Sequence, residues 1–274
     1  MLKRIMSNYI EKKLNDRIGK KEYQFFWENL YDKCLIGMNI GGGSGVKDSG
    51  EENALEYIRE HIITGDEAVL FDIGANIGDY TRILMNHFSQ AYIHCFEPAS
   101  ETFRTLFRNI NNDKVLLNNV GLSNEVSSAT LYYDKEASGM ASLYERQLDW
   151  IDWTDVSLSK SERVELITID KYCLENMIDS IDFMKMDVEG NEYKVLLGAE
   201  KMLKEKRIKA IQMEFGGCNV DSRTFFRDFW NLLNKDFSFF RIVSDGLQPI
   251  SKYKETLEIF TCTNYLLINK QYEE

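Results

Sequence analysis

Proline is almost missing from this 274-residue chain, with only Pro98 and Pro249, and histidine is nearly as scarce, with His61, His87 and His94. Two prolines leave most of the chain free to form regular elements, and no internal repeat or low-complexity tract marks a repeat array. The five cysteines, Cys34, Cys95, Cys173, Cys218 and Cys262, are widely spaced and form no CxxC pair or Cys/His cluster, which argues against a disulfide framework or a zinc site. No apolar run approaches the roughly 20 residues of a membrane span. Residues 1–20 alternate charged and apolar side chains and lack a signal-peptide core, so a cytoplasmic, soluble protein is expected. Positive charge is also in deficit, at 33 basic against 44 acidic residues, a net −11 that disfavours nucleic acid as a partner. A chain of this size buries roughly 75% of its unfolded surface and needs no covalent or metal staple.

Residues 1 to about 35 carry Ile5, Tyr9, Ile10 and Leu14, then Phe25, Phe26 and Leu30, at helical spacing. Gly41, Gly42, Gly43, Gly45 and Gly50 follow, and their high backbone entropy reads as a linker. No Gly-Lys-Ser/Thr completes a phosphate loop there, because Lys47 stands between Val46 and Asp48. Residues 1–50 are therefore expected to form a helical cap and linker ahead of one larger domain at 51–274. In that domain short apolar runs at 68–72, 92–96, 115–120, 183–187, 210–214, 237–243 and 265–269 read as seven strands, with helices at 77–88 and 192–204. The expected fold is α/β, a seven-stranded, mostly parallel, Rossmann-like sheet with helices on both faces.

The sharpest motif is Val69-Leu70-Phe71-Asp72-Ile73-Gly74-Ala75-Asn76-Ile77-Gly78, an apolar strand that ends in an acid and turns through two glycines into a helix. Gly74 can take a positive φ and let backbone approach a ligand, while Gly78 allows close packing of the helix on the strand. Its glycines are four apart, unlike the paired glycines of a dinucleotide site. Cys95-Phe96-Glu97-Pro98 then places Glu97 at the next strand tip, where a carboxylate can accept two ribose hydroxyls. At two further strand ends stand Asp187 with Glu189, and Glu214. Three carboxylates at one rim are costly without a proton, a solvent shell or a cation, and so mark a site.

These pieces, with Asn119-Val120-Gly121-Leu122-Ser123, Gly139-Met140-Ala141-Ser142-Leu143, Ile167-Thr168-Ile169-Asp170 and Lys185-Met186-Asp187-Val188-Glu189-Gly190-Asn191-Glu192, resemble the FkbM-type methyltransferases from about residue 51 to residue 269. The resemblance implies the class I methyltransferase fold, S-adenosylmethionine as donor, and O-methylation of a sugar, glycan or related natural product. It places the cofactor against Asp72, Gly74, Ala75, Asn76, Gly78, Glu97, Pro98, Gly121, Leu122 and Asp187, and Ser142 in the acceptor pocket. With histidines remote from the strand tips, the base is expected among Asp187, Glu189 and Glu214, with Glu189 favoured, or two of these acids hold a divalent cation. Tyr132, Tyr133, Tyr144, Trp150 and Trp153 between the third and fourth strands are suited to stacking on a sugar, or to the core of an insertion. A nicotinamide oxidoreductase and a non-catalytic cofactor-binding module are the alternatives; affinity for S-adenosylhomocysteine against NADH separates the first, and a labelled-methyl assay the second.

Overall fold

A computed structural model describes residues 14–41, 49–65, 67–148 and 156–273. The chain divides into two compact units, Met1–Gly41 and Gly42–Glu274. The first holds two 3-10 turns, Asn15–Arg17 and Lys21–Tyr23, and helix α1, Gln24–Gly37. The Trp27 indole N–H donates to the Arg17 carbonyl at 3.1 Å, and the Arg17 guanidinium lies over the rings of Tyr23 and Phe26. Ile5, Tyr9, Ile10, Gly42, Gly43 and Gly45 lie outside the described residues.

The second unit runs α2 (Glu51–His61), β1 (Val69–Ile73), α3 (Asp79–His87), β2 (Tyr92–Phe96), α4 (Ser100–Asn109), β3 (Val115–Asn118), β4 (Gly121–Leu122), β5 (Ser127–Tyr133) and β6 (Lys160–Ile167). It continues through α5 (Ile169–Glu175), β7 (Ile181–Met186), α6 (Glu192–Leu197), α7 (Glu200–Lys204), β8 (Ile208–Phe215), α8 (Cys218–Ser222), α9 (Phe226–Leu233), β9 (Phe237–Val243), β10 (Gly246–Ile250) and β11 (Thr263–Asn269). Eight strands form the main sheet in the order β10-β9-β11-β8-β7-β1-β2-β3. Pairing is parallel from β8 through β3, while β11 runs antiparallel between β8 and β9. This is the Rossmann-like class I methyltransferase arrangement with one strand more than expected. The addition, β10, forms a hairpin with β9 and carries Pro249 at the sheet edge, where a missing N–H is tolerated.

Apolar side chains on alternate sides of the strands explain why helices cover both faces. Leu70, Ile93, Phe183 and Leu266 pack with Leu55 and Ile58 of α2, Leu84 of α3 and Leu106 of α4. On the other face Phe71, Met184, Ile211 and Leu267 pack with Tyr172 of α5, Leu196 of α6, and Phe226 and Phe229 of α9. Each of these large side chains, fully withdrawn from water, contributes about 1.5–3 kcal/mol.

Two expected elements are interrupted. The run at 115–120 is cut after Asn118 because Asn119 donates its side-chain amide to the carbonyls of Glu97 and Pro98, and the chain then leaves for a second sheet of order β4-β6-β5. The helix at 192–204 is cut into α6 and α7. A Cβ on Gly198 would stand 2.0 Å from the Ser123 carbonyl oxygen, and the Asp170 carboxylate accepts the backbone N–H groups of Lys201 and Met202, capping α7 afresh.

Candidate active site

Strand β1 is flanked by β2 on one side and β7 on the other, so the chain crosses from one half of the sheet to the other beside its carboxyl end, where α/β sheets bind ligands. The turn after β1 is packed against both neighbours. The N–H groups of Gly74 and Ala75 both donate to the Phe96 carbonyl at 3.0 Å, and the Asp187 N–H donates to the Ile73 carbonyl. Gly74 has φ +84°, and a Cβ there would lie 1.9 Å from the Asp187 carbonyl oxygen. Glycine is thus required because the backbone just past β7 approaches it, and Gly78, also at positive φ, makes room for Leu106 of α4 and for Ile110 just beyond that helix instead of for the strand. Asp72 lies beneath the turn, fully buried, accepting from the Thr81 hydroxyl at 2.6 Å; burial raises its carboxyl pKa and the Lys185 ammonium opposes that rise.

Glu97 is held at the tip of β2 by two backbone donors, Asn76 N–H at 3.0 Å and Ala99 N–H at 2.8 Å. Burial lifts its pKa to about 7 against the pull of those two N–H groups. Asn76, itself at φ +47°, donates its amide to the Ser138 carbonyl, while its buried Oδ1 has no hydrogen-bond partner among the described residues.

Around these groups opens a cleft on the carboxyl side of the sheet. Gly74, Asn76, Glu97, Pro98, Gly121, Leu122, Asp187 and Glu189 line it, so most of the residues singled out in the sequence do converge. Leu131, Ala141, Leu143 and Leu166 supply an apolar wall from the second sheet and from the segment after β5. Asp72, Ala75, Gly78, Ser142 and Glu214 do not line it. Among the described lining residues, Glu97, Asp187 and Glu189 are acids and none is lysine or arginine.

The acidic side of the cleft is built by the turn after β7. Glu189 and Gly190 both adopt positive φ, at +50° and +104°, and a Cβ on Gly190 would come within 2.9 Å of the Cys218 carbonyl oxygen. The buried Glu192 carboxylate accepts the N–H groups of Val188 and Gly190 and so closes the turn; burial raises its pKa to about 7. Asp187 pairs with the Lys185 ammonium at 2.8 Å, and that buried cation also lies over the Tyr80 ring. The Glu189 carboxylate pairs with Arg146, whose Nε is 3.3 Å from Asp221. Burial and the neighbouring Glu214 and Asp187 raise the Glu189 pKa, while Arg146 opposes. Glu214 is pushed to about 8, first by burial and then by Asp187.

Among the described residues, no three His, Cys, Asp or Glu side chains converge so as to hold a metal ion; Asp187 and Glu189 face cationic partners instead. Ser142 is fully buried and donates its hydroxyl to the Glu189 carbonyl at 2.7 Å, so it supports the turn from behind. Tyr132 and Tyr133 lie on β5 and Tyr144 reaches Asn191, none of them lining the cleft; Trp150 and Trp153 lie outside the described residues. The histidines are elsewhere: His94 is buried against the Tyr172 hydroxyl with its pKa lowered to about 4 by burial, His61 stacks on Tyr57, and His87 stands 3.8 Å from Glu52. Arg146, Glu192 and the cleft-lining Asn191 are the functional candidates that sequence reasoning passed over. Glu192 and Asn191 had a signal in their place beside Asp-Val-Glu-Gly, whereas Arg146 had none.

Comparison with known proteins agrees with this geometry. Residues 72–239 match the Methyltransferase FkbM domain model. The chain is 28% identical to Methyltransferase 1 of Beauveria bassiana over 49% of its own length and 59% of that protein's. It is 26% identical to the hexuronic acid methyltransferase AglP of Haloferax volcanii, covering 61% and 64% of the two chains, and 26% identical to the 2-O-methyltransferase NoeI of Sinorhizobium fredii, covering 52% and 61%. It thus spans less than two thirds of each of these relatives. A family match over more than half of the sequence, on the residues that build the cleft and its acidic turn, establishes that this chain belongs to the FkbM methyltransferase family.

Proposed function

We propose that the chain is an S-adenosylmethionine-dependent O-methyltransferase whose acceptor is a hydroxyl of a sugar, glycan or related natural product. The observation that carries this reading is a cleft at the sheet's switch point lined by the glycine turn after β1, by Glu97 at the tip of β2 and by the turn after β7. Asp187 and Glu189 are paired with Lys185 and Arg146, so the four-residue spacing of Gly74 and Gly78, not net charge, sets the cleft apart from a nicotinamide dinucleotide site. The residues fit the cofactor: Glu97 has free acceptor capacity for ribose hydroxyls beyond its two N–H bonds, and the Asn76 Oδ1, unpartnered among the described residues, offers a further acceptor. Pro98, Gly121, Leu122 and Leu166 offer an apolar surface for a base.

When bound, S-adenosylmethionine supplies an electrophilic methyl group on a sulfonium. The chain's own task is to orient an acceptor hydroxyl and take its proton. Glu189 fills that role in this reading, because it lines the cleft, its backbone is pinned by Ser142 and the Glu192-braced turn, and its raised pKa makes the carboxylate a better base. Asp187, engaged by Lys185, holds negative charge on the same wall. The sugar acceptor rests on the names of AglP and NoeI together with the polar side of the cleft. A soluble, cytoplasmic setting belongs to the same proposal, in keeping with the finding that no described helix is long and apolar enough to cross a membrane.

The test is transfer of a labelled methyl group to candidate sugar acceptors. Glu189→Gln is expected to lower kcat by about 10²–10⁴-fold with S-adenosylhomocysteine affinity retained in calorimetry. Full turnover by that variant would remove Glu189 from the mechanism.

A further inference from the structure

Three alternate residues of the segment that follows the Gly139-Met140-Ala141 loop all fasten onto the turn carrying Glu189. Ser142 donates its hydroxyl to the Glu189 carbonyl at 2.7 Å, the Tyr144 hydroxyl lies 3.4 Å from the Asn191 Oδ1, and Arg146 bonds the Glu189 carboxylate through Nη1. The Lys194 ammonium lies over the Tyr144 ring, which holds the middle of this strap against α6. Arg146 ends the series. Its side chain is only 6% exposed, and Asp221 of α8 engages its Nε, so the guanidinium is held from both ends between the cleft and a neighbouring helix.

We propose that Arg146, anchored by Asp221, is the positioning residue of the site: it fixes the Glu189 carboxylate toward the cleft and compensates its charge. The inference rests on the reading of Glu189 as base. A planar guanidinium suits this work because its separate N–H groups engage two carboxylates in fixed directions, which a lysine ammonium does not reproduce. Compensation is needed here. Glu189 faces Glu214 from β8, Asp187 from the end of β7 and Glu192 from α6, with the thiols of Cys218 and Cys262 also within its field, and Arg146 is the cation that offsets them. Asp221 carries no share of the cleft wall; its contribution is to stop the guanidinium from swinging away.

The experiment uses the full chain with Arg146→Met, Arg146→Lys and Asp221→Asn. The Glu189 side-chain carboxyl is followed by carbon NMR in the cofactor-free protein, its signal assigned by loss in Glu189→Gln, and kcat is measured against pH. In Arg146→Met the carboxyl is expected to titrate about one to three units higher, the acid limb of kcat moving with it. S-adenosylhomocysteine affinity should stay within about threefold of wild type, since Arg146 is outside the cleft lining. Arg146→Lys should hold the limb near its original pH while lowering kcat. Asp221→Asn, the milder change should Arg146→Met fail to fold, should shift the limb in the same direction by less. An unchanged carboxyl titration, or a loss of kcat equal at every pH, overturns the positioning role. Turnover surviving in Glu189→Gln would instead overturn the base assignment, and the NMR titration would still decide whether Arg146 governs that carboxylate.

Discussion

Gly74 shows how one residue joins two halves of the sheet. Its positive φ and the Asp187 carbonyl oxygen 1.9 Å from where a Cβ would stand leave no room for alanine unless β1 and β7 separate at their tips. Gly74→Ala is expected to cost about 1–3 kcal/mol from the backbone conformation alone, with the clash adding to it. Calorimetry should find S-adenosylhomocysteine affinity lost even where the protein remains folded; unaltered affinity would mean that the tips can part without harm. That a glycine was needed here could be read from the motif, but the crowding atom could not, because it comes from a residue 113 positions further along. The same limit applies to Ser142, expected in the acceptor pocket and found bracing the Glu189 carbonyl from behind. Arg146 gave no sign at all: an arginine in an irregular segment becomes meaningful only when the turn it grips is folded beside it.

Among the elements, the central strands were legible because burial on both faces leaves short apolar runs, and the 92–96 run coincides with β2, buried at four of its five positions. Strands β5 and β6 were not, since Ser127–Tyr133 and Lys160–Ile167 are half-covered and carry serines and charges on their open sides. The split between α6 and α7 is the other departure. Helical periodicity runs through Gly198 without a break, and what divides the helix is the distant Asp170 carboxylate taking the N–H groups of Lys201 and Met202. Asp170→Ala should therefore cost about 0.5–2 kcal/mol, as the loss of a capping carboxylate does. Urea unfolding is the measurement, and a midpoint equal to wild type would assign the split to Gly198 alone. The Asp170 carboxylate lies outside the cleft lining, so kcat should be preserved.

On the scale of the whole molecule, the described structure sinks several acids into low-dielectric surroundings around one cleft. Burial raises Glu97 and Glu192 to about 7 and Glu214 to about 8, against 4.5 in the unfolded chain. Groups whose folded pKa is raised bind protons more tightly in the native state, so their contribution to stability is complete below pH 4.5 and is lost as pH climbs through 7 to 8. For Glu97 alone the loss is on the order of 3 kcal/mol. Thermal melting of the ligand-free protein should accordingly show stability falling between pH 5 and about 8. A cationic analogue of the donor should restore more of it at the upper end than neutral S-adenosylhomocysteine does; equal rescue by both would count against charge pairing in the cleft. By itself the sequence determined the sheet, the glycine turn, Glu97 and the Asp-Val-Glu-Gly acids, because strands buried on both faces and turns of special geometry constrain residue type locally. Only the tertiary structure decided which of those acids face the cleft, which are neutralised by Lys185 and Arg146, and which serve as braces. Those roles depend on distances between residues far apart in the chain, and no local pattern encodes them.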